Sequence, residues 1–300
     1  MSATHARKKP FLRLATAAVA MVAALGMAAC SGGASTSSSS SSSAQVGDRS
    51  PEQIKEAGEI VIGIFSDKAP FGYIDADGKP AGYDVVYGDR IAADLGVTAK
   101  YVPVDAAART EVLASNKVDI TLANFTVTPE RAEKVDFANP YFKVSLGVVS
   151  PTSAEITDVS QLAGKTLIVT KGTTAEAYFE AKHPEVKLLK FDQYSDAYQA
   201  LEDGRGDAFS TDNTEVIAWA IQHPGFSVGI KSLGETSYIA AAVKKGNTAL
   251  LDWLNNQLVE LGEENFFHKD YEQTLAPVYG DAATPDDLVV EGGVDTTSTN

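Results

Sequence analysis

Short apolar runs bounded by turn residues recur along the chain: EIVIGIF at 59–65, KYVPV at 100–104, VDITLANF at 118–125, SLGVVSP at 145–151, TLIVT at 166–170, GDAFST at 206–211 and YIAAAV at 238–243. Their length and bounding residues predict strands. Between them the apolar residues recur at helical spacing. Val85, Val86, Ile91, Ala92 and Leu95 mark one helix from Asp84 to Leu95, and Leu250, Leu251, Leu254, Leu258 and Leu261 mark another from Thr248 to Leu261. Strands alternating with helices predict α/β layers.

In open α/β sheets ligands bind where strands run out into loops that open helices. Two loops fit that description. VDITLANF leads into TVTPER, where Thr128 is a good N-cap and Pro129 a good first helical residue; TLIVT leads into KGTTAE, where Thr173 and Glu176 form an expected capping box. Free N–H groups at such helix starts attract an anion of carboxylate size, and no GxxxxGK[ST] phosphate loop occurs. Arg131, the third residue of the first of these helices, sets a cation against the positive end of the helix dipole. A lone surface arginine more often lies in solvent or pairs with a neighbour such as Glu130 or Asp136, so its context has to decide its role.

Composition adds a compartment. Residues 1–29 carry Arg7, Lys8, Lys9 and Arg13 and no acid, then an apolar run, which is the pattern of a secretory signal. LGMAAC places small residues before Cys30, the only cysteine of 300 residues, and this resembles a lipobox with Cys30 as the lipid-bearing N-terminus. A lone cysteine excludes an intrachain disulfide. Residues 30–50, rich in serine, are expected to form a polar tether. Removing the signal takes away four cations and no anion, so the net charge of −15 becomes −19, and nucleic-acid binding is excluded as a function. No later apolar run is long enough to span a membrane. His5, His183, His223 and His268 lack metal-ligand spacing, and neither a nucleophile elbow nor a serine, histidine and acid trio is present, so no metal, cofactor or catalytic residue is expected.

IGIFSDKAPFGYIDADGKPAGYDVVYGDRIAADLG, NKVDITLANFTVTPERAEKVDFANPY, KGTTAEAY and GDAFSTDNTE, in this order and spacing, resemble the family 3 extracellular solute-binding proteins, receptors of ABC importers for polar amino acids. LANFTVTPERAEKVDF, KGTTAEAYF, FFHKDYEQTL and DDLVVEGG look most like the cysteine-binding surface lipoproteins within it. The resemblance implies a periplasmic-binding-protein-like type II fold, two α/β lobes joined by a two-strand hinge with the ligand in the cleft. It places lobe 1 at 51–146 plus 239–293, lobe 2 at 147–238, and a disordered tail at 294–300. It implies a non-enzymatic, monomeric receptor, anchored through its N-terminal lipid to the outer face of a bacterial cell membrane and delivering an amino acid to a permease. Cysteine is the first ligand expected.

Carried over residue by residue, Arg131 grips the α-carboxylate as a planar fork, with backbone N–H groups at Thr128, Thr173 and Thr174. Asp212 takes the ammonium, helped by the Asn124 carbonyl and the Thr126 hydroxyl. Phe71 and Tyr83 are the aromatics expected on the cleft. Two departures stand out: Asp67 is followed directly by KAP, without the two residues and the stacking aromatic that many relatives have there, and Asn124 replaces a common glycine. The first leaves Asp67 and Lys68 as possible contacts. Arg109 or Lys171 would instead suit a glutamate or aspartate ligand. A dehydratase of cyclic amino-acid precursors on the same fold would need an acid in the cleft, for which Glu111, Glu130 and Glu176 are the candidates. The tripeptide Arg205-Gly206-Asp207 and the sequon Asn124–Thr126 are discounted as adhesion and glycosylation signals because they fall on a turn leading into a strand and on the expected cleft.

Overall fold

The computed structural model describes residues 44–294. Cys30, the signal and most of the tether, and the tail beyond Val294, lie outside the described residues. The chain order is α1 Pro51–Ala57, β1 Glu59–Ile64, β2 Asp67–Lys68, β3 Gly72–Ile74, β4 Pro80–Ala81, α2 Tyr83–Leu95, β5 Thr98–Pro103, α3 Arg109–Ala114, β6 Ile120–Thr121, α4 Pro129–Ala132 and β7 Val135–Pro151. Then follow β8 Thr166–Thr170, α5 Thr174–Lys182, β9 Lys187–Phe191, α6 Tyr194–Glu202, β10 Ala208–Asp212, α7 Asn213–Gln222, β11 Phe226–Lys244, α8 Thr248–Glu263 and α9 Phe266–Thr274.

One sheet carries the order β5-β1-β6-β11-β7-β10-β8-β9, and β2, β3 and β4 form a second, small one. Its spine is the antiparallel pair β7 and β11, which runs from Phe226 opposite Pro151 to Lys244 opposite Val135. At one end β11 passes its free edge to β6 through Ala242 and Val243, and β6 to β1 and β5 in parallel. At the other end β7 passes its free edge to β10, and β10 to β8 and β9 in parallel. The spine thus carries one parallel flank at each end. SLGVVSP and YIAAAV are segments of these two long strands rather than strands of their own.

Helices cover the parallel strands because such strands need both faces buried. On the first flank α2, α8 and α9 turn Ile91, Leu95, Leu254, Leu258, Phe267 and others onto Ile60, Ile62 and Ile120. On the second, Phe179 of α5 packs with Leu167 and Val169. A further apolar cluster joins both, with Phe65 from one and Tyr194 from the other in edge contact at 5.4 Å between ring centroids. Among the described residues no helix is long and apolar enough to cross a membrane.

The tether expected through Ser50 stops earlier. Arg49 is buried and ion-paired to Asp119, Gly47 N–H donates to Asp119 Oδ1 at 3.0 Å, and Asn247 Nδ2 donates to the carbonyls of Gly47 and Arg49 at 2.9 and 3.1 Å. Residues 45–50 are therefore a docked strap, whose charge and backbone groups find partners that the sequence alone does not disclose.

Candidate functional site

The site lies where β6, β8 and β10 run out into helices. VDITLANF is strand only at Ile120–Thr121, because Ala123 and Asn124 turn into the left-handed region at φ 41° and 42°. Such a conformation strains non-glycine residues and persists only when the surroundings over-determine it. Here they do: Arg109 Nη1 donates to the carbonyls of Ala123 and Asn124, both at 3.1 Å, and Asp84 Oδ2 accepts from Asn124 N–H at 2.6 Å. Asp84 also accepts from the Tyr141 hydroxyl at 2.6 Å. Asparagine tolerates this conformation better than most side chains, which accounts for its standing at a position that suits glycine.

The two helix starts form as their chemistry predicts. Thr128 Oγ1 accepts from Arg131 N–H at 3.3 Å, and Thr173 Oγ1 accepts from Glu176 N–H at 3.2 Å. The expected return bond of Glu176 differs by one residue: its carboxylate accepts from Gly172 N–H at 2.7 Å instead of from the N-cap. Gly172, at φ 73°, is needed here, since a Cβ would sit 2.4 Å from the Ala107 Cα of the other flank.

A small cavity opens between the flanks, lined by Lys68, Arg109, Asn124, Thr126, Thr173, Thr174, Tyr194, Thr211 and Asp212. Five expected residues, Asn124, Thr126, Thr173, Thr174 and Asp212, meet on it. Arg131 stands beside it, half-buried, with Nη1 donating to Thr126 O at 2.6 Å and Nη2 to Gly172 O at 2.8 Å. Arg109 Nη2 reaches the same Gly172 carbonyl at 3.2 Å. Among the described residues neither guanidinium has a carboxylate at ion-pair distance. Burial, and then the charge of Arg109, push the Arg131 guanidinium down to about 9, so the site holds more positive charge than it answers at this end.

At the opposite end Lys68, wholly buried, donates through Nζ to Asn124 Oδ1 and Asp212 Oδ2, both at 2.7 Å, with Glu215 Oε2 at 3.3 Å. Asp212 ends β10 and makes no cap for α7, so the ordinary turn role open to it in the sequence is not the one it plays. Burial alone lowers Lys68, yet Asp212, Tyr194 and Glu215 together hold it above its ordinary value. Burial raises the Glu215 carboxyl to about 7 and the Asp84 carboxyl to about 6.

Several expected placements need correction. Phe71 and Tyr83 are fully buried in the first-flank core: Phe71 packs edge-on against Phe142 at 5.5 Å, and Tyr83 lies among Tyr141, Phe142 and Phe267. Gly82, at φ 114°, is needed beside them, since a Cβ there would sit 2.4 Å from Phe71 O. Thr128 caps α4 outside the cavity lining, and the Asn124 carbonyl is already an acceptor for Arg109. Lys171 pairs on the surface with Asp192. Glu111, Glu130 and Glu176 are absent from the lining. Among the described residues no group of acids, histidines and cysteines has the geometry of a metal site. Missed in the sequence were Arg109 as a structural clamp, Asp84, and Glu215; the visible signal for Glu215 was one acid inside the apolar helix NTEVIAWAI.

Residues 60–275 match the bacterial extracellular solute-binding proteins, family 3. The chain belongs to this family. A solute receptor for L-cysteine from Neisseria gonorrhoeae is similar at 51% identity and TM-score 0.80, over 81% of this chain and 100% of that one. A cysteine-binding protein from Campylobacter jejuni is similar at 50% identity and TM-score 0.79, over 80% and 98%. The ABC transporter glutamine-binding protein of Bacillus subtilis is 29% identical over 74% of this chain and 83% of its own length. Family 3 members are extracytoplasmic solute-binding proteins with the type II architecture, and the fold described above is of that kind.

Proposed function

We propose that this family 3 protein is a receptor for a polar amino acid, with cysteine as the first ligand, serving an ABC importer. The α-carboxylate sits on Arg131, which exchanges a backbone carbonyl for an anion, and on the N–H groups of Thr173 and Thr174 at the start of α5. The ammonium sits on Asp212 through Oδ1, since Oδ2 holds Lys68, with Thr126 and Asn124 beside it. What supports this reading is two guanidiniums without a carboxylate partner at or beside one small cavity, whose lining also holds the Asp212 carboxylate with only Oδ2 taken by Lys68. A zwitterion of α-amino-acid size answers both.

The two solved relatives at 50% and 51% identity are named for cysteine, which favours it over glutamine or arginine. Arg109 spends its donors on four backbone carbonyls, which speaks against glutamate or aspartate. The absence of Glu111, Glu130 and Glu176 from the cavity lining speaks against a dehydratase.

The two flanks correspond in this reading to lobes at 51–146 plus 239–293 and 147–238, closing over the ligand as a monomer, with Cys30 as the lipid anchor that holds the receptor beside its permease. The test is calorimetric titration of the full chain, in detergent, with the twenty amino acids and cystine. Micromolar or tighter binding of cysteine is expected, and Arg131→Ala or Asp212→Ala should each weaken it by about 2–5 kcal/mol. Undiminished binding in both variants would sink the site assignment.

A further inference from the structure

Lys68 does more than line the cavity. Its ammonium donates to Asn124 Oδ1 and Asp212 Oδ2 and forms an ion pair with Glu215 Oε2 at 3.3 Å. Three aromatic rings surround it as well: Tyr194 at 4.8 Å, Phe65 at 5.6 Å and Phe71 at 5.8 Å from Nζ to ring centroid. All three lie within the roughly 6 Å at which a ring face attracts a cation. Two carboxylates, an amide oxygen and three rings make a complete seat for an organic cation. The occupant of that seat is a side chain of the protein itself.

Phe65, Phe71 and Lys68 come from the first flank, whereas Tyr194, Asp212 and Glu215 come from the second, so the seat is assembled only when the two flanks meet. It opens on the cavity, which Lys68, Tyr194 and Asp212 also line. A second cation entering it would meet Lys68 at close range in a desolvated space, where Asp212 already holds Lys68 and Asp84 is taken up by the Asn124 N–H and the Tyr141 hydroxyl. Repulsion of that kind rejects a wrong ligand as effectively as attraction selects a right one.

We propose that Lys68 is a built-in plug in a cation seat and is the residue that bars amino acids with basic side chains from this receptor. The proposal rests on the amino-acid receptor reading above for the identity of the ligands. Lys68 comes to this place from β2.

The full chain, in detergent, is titrated by calorimetry with L-cysteine, L-glutamine, L-lysine, L-arginine and n-butylammonium chloride, as wild type and as Lys68→Ala. The wild type should prefer its best neutral ligand over lysine and arginine by at least about 100-fold. Lys68→Ala, which empties the seat but keeps its carboxylates and rings, should bind lysine and n-butylammonium at least about tenfold more tightly than the wild type, while glutamine gains less than about threefold. Lysine or arginine bound by the wild type within tenfold of the best neutral ligand would overturn the plug, as would a gain for glutamine equal to that for lysine, since space alone would then explain it. If Lys68→Ala does not fold, Lys68→Ser, which admits water to Asp212 and Glu215, takes its place, and the wild-type preference decides on its own if neither folds. A wild type that binds no amino acid refutes the receptor reading; even then, uptake of n-butylammonium by the variant alone supports the seat, and its absence overturns it.

Discussion

Arg49 and Arg131 are both guanidiniums drawn away from solvent, and they differ in what each meets there. Arg49 finds Asp119, whose Oδ1 accepts from Arg49 Nε at 2.9 Å and Gly47 N–H at 3.0 Å, and whose Oδ2 accepts from Arg49 Nη2 and from Val61 N–H at 2.8 Å. Charge and hydrogen bonds close within the chain. Arg131 finds only the carbonyls of Thr126 and Gly172 and the face of Phe125, 5.1 Å away. Its hydrogen bonds are made but its charge is not answered. A buried pair that is complete is a structural device, and a buried cation that lacks its anion is half of a binding device. The same side chain serves either purpose according to whether the sequence also brings up the carboxylate.

The strongest way to break this comparison is to remove Arg49. Arg49→Ala leaves Asp119 buried with N–H donors but no cation, and should cost about 3–5 kcal/mol of stability. Urea unfolding followed by fluorescence of Trp219 and Trp253 measures it, and the ligand affinity of the folded variant should equal that of the wild type. Arg131→Ala should do the reverse, losing ligand and leaving stability nearly unchanged. If Arg131→Ala unfolds the protein while Arg49→Ala loses only ligand, the two roles are exchanged.

Asp270 sharpens the comparison from the other sign. It is a buried carboxyl on α9 whose Oδ1 accepts from Thr274 Oγ1 at 3.0 Å and which, among the described residues, has no partner at Oδ2 and no cation at ion-pair distance. Burial pushes it from 3.8 up to about 9, with the charge of Asp84 adding to the effect. The native state therefore keeps a proton that the unfolded chain releases, so folding carries a cost that is absent below about pH 3.8, grows with pH, and levels off above about 9. Asp270→Asn should raise stability at pH 7 by on the order of 2 kcal/mol and change it little at pH 4. Thermal unfolding at the two pH values checks this, and a gain of equal size at both would show that ionisation is not its source.

The legible part of the molecule was the part decided within a few residues. Thr128 and Thr173 announce their helices because an N-cap is local chemistry, and the leucine stripe of α8 announces itself by its period. VDITLANF misleads because its apolar run says strand, while Arg109 and Asp84, distant in sequence, hold its second half in a left-handed turn. Phe71 and Tyr83 mislead for a related reason: an aromatic residue near a glycine turn looks the same in the sequence whether it faces a cleft or a core. Lys68 and Glu215 belong to one cluster only because β2 and α7 come from different flanks, and no spacing in the chain encodes that meeting. The structure has Asp212 on the cavity and Arg131 beside it, and Lys68, which the sequence offered only as a possible contact, pairs there with Asp212 and Glu215.

Asp67 offers the finest test, because its contacts are complete and yet join the two flanks. Its Oδ2 accepts from the N–H groups of Tyr194 at 2.8 Å and Ser195 at 3.2 Å, at the start of α6, whose own N-cap Gln193 makes no side-chain cap. A carboxylate from one flank thus caps a helix of the other, satisfying its orphan donors and its dipole. Such a bond exists only while the flanks are together, which in the proposed reading is also the state the ligand occupies, so strengthening or weakening it changes ligand affinity by linkage. An N-cap is worth about 0.5–2 kcal/mol, so Asp67→Ala should weaken ligand binding by roughly threefold to thirtyfold. Its effect on urea unfolding should be smaller than that of Arg49→Ala, because each flank keeps its own core. Calorimetry on the variant gives the number, and an unchanged affinity would mean that the cap persists equally with and without ligand and takes no part in closure.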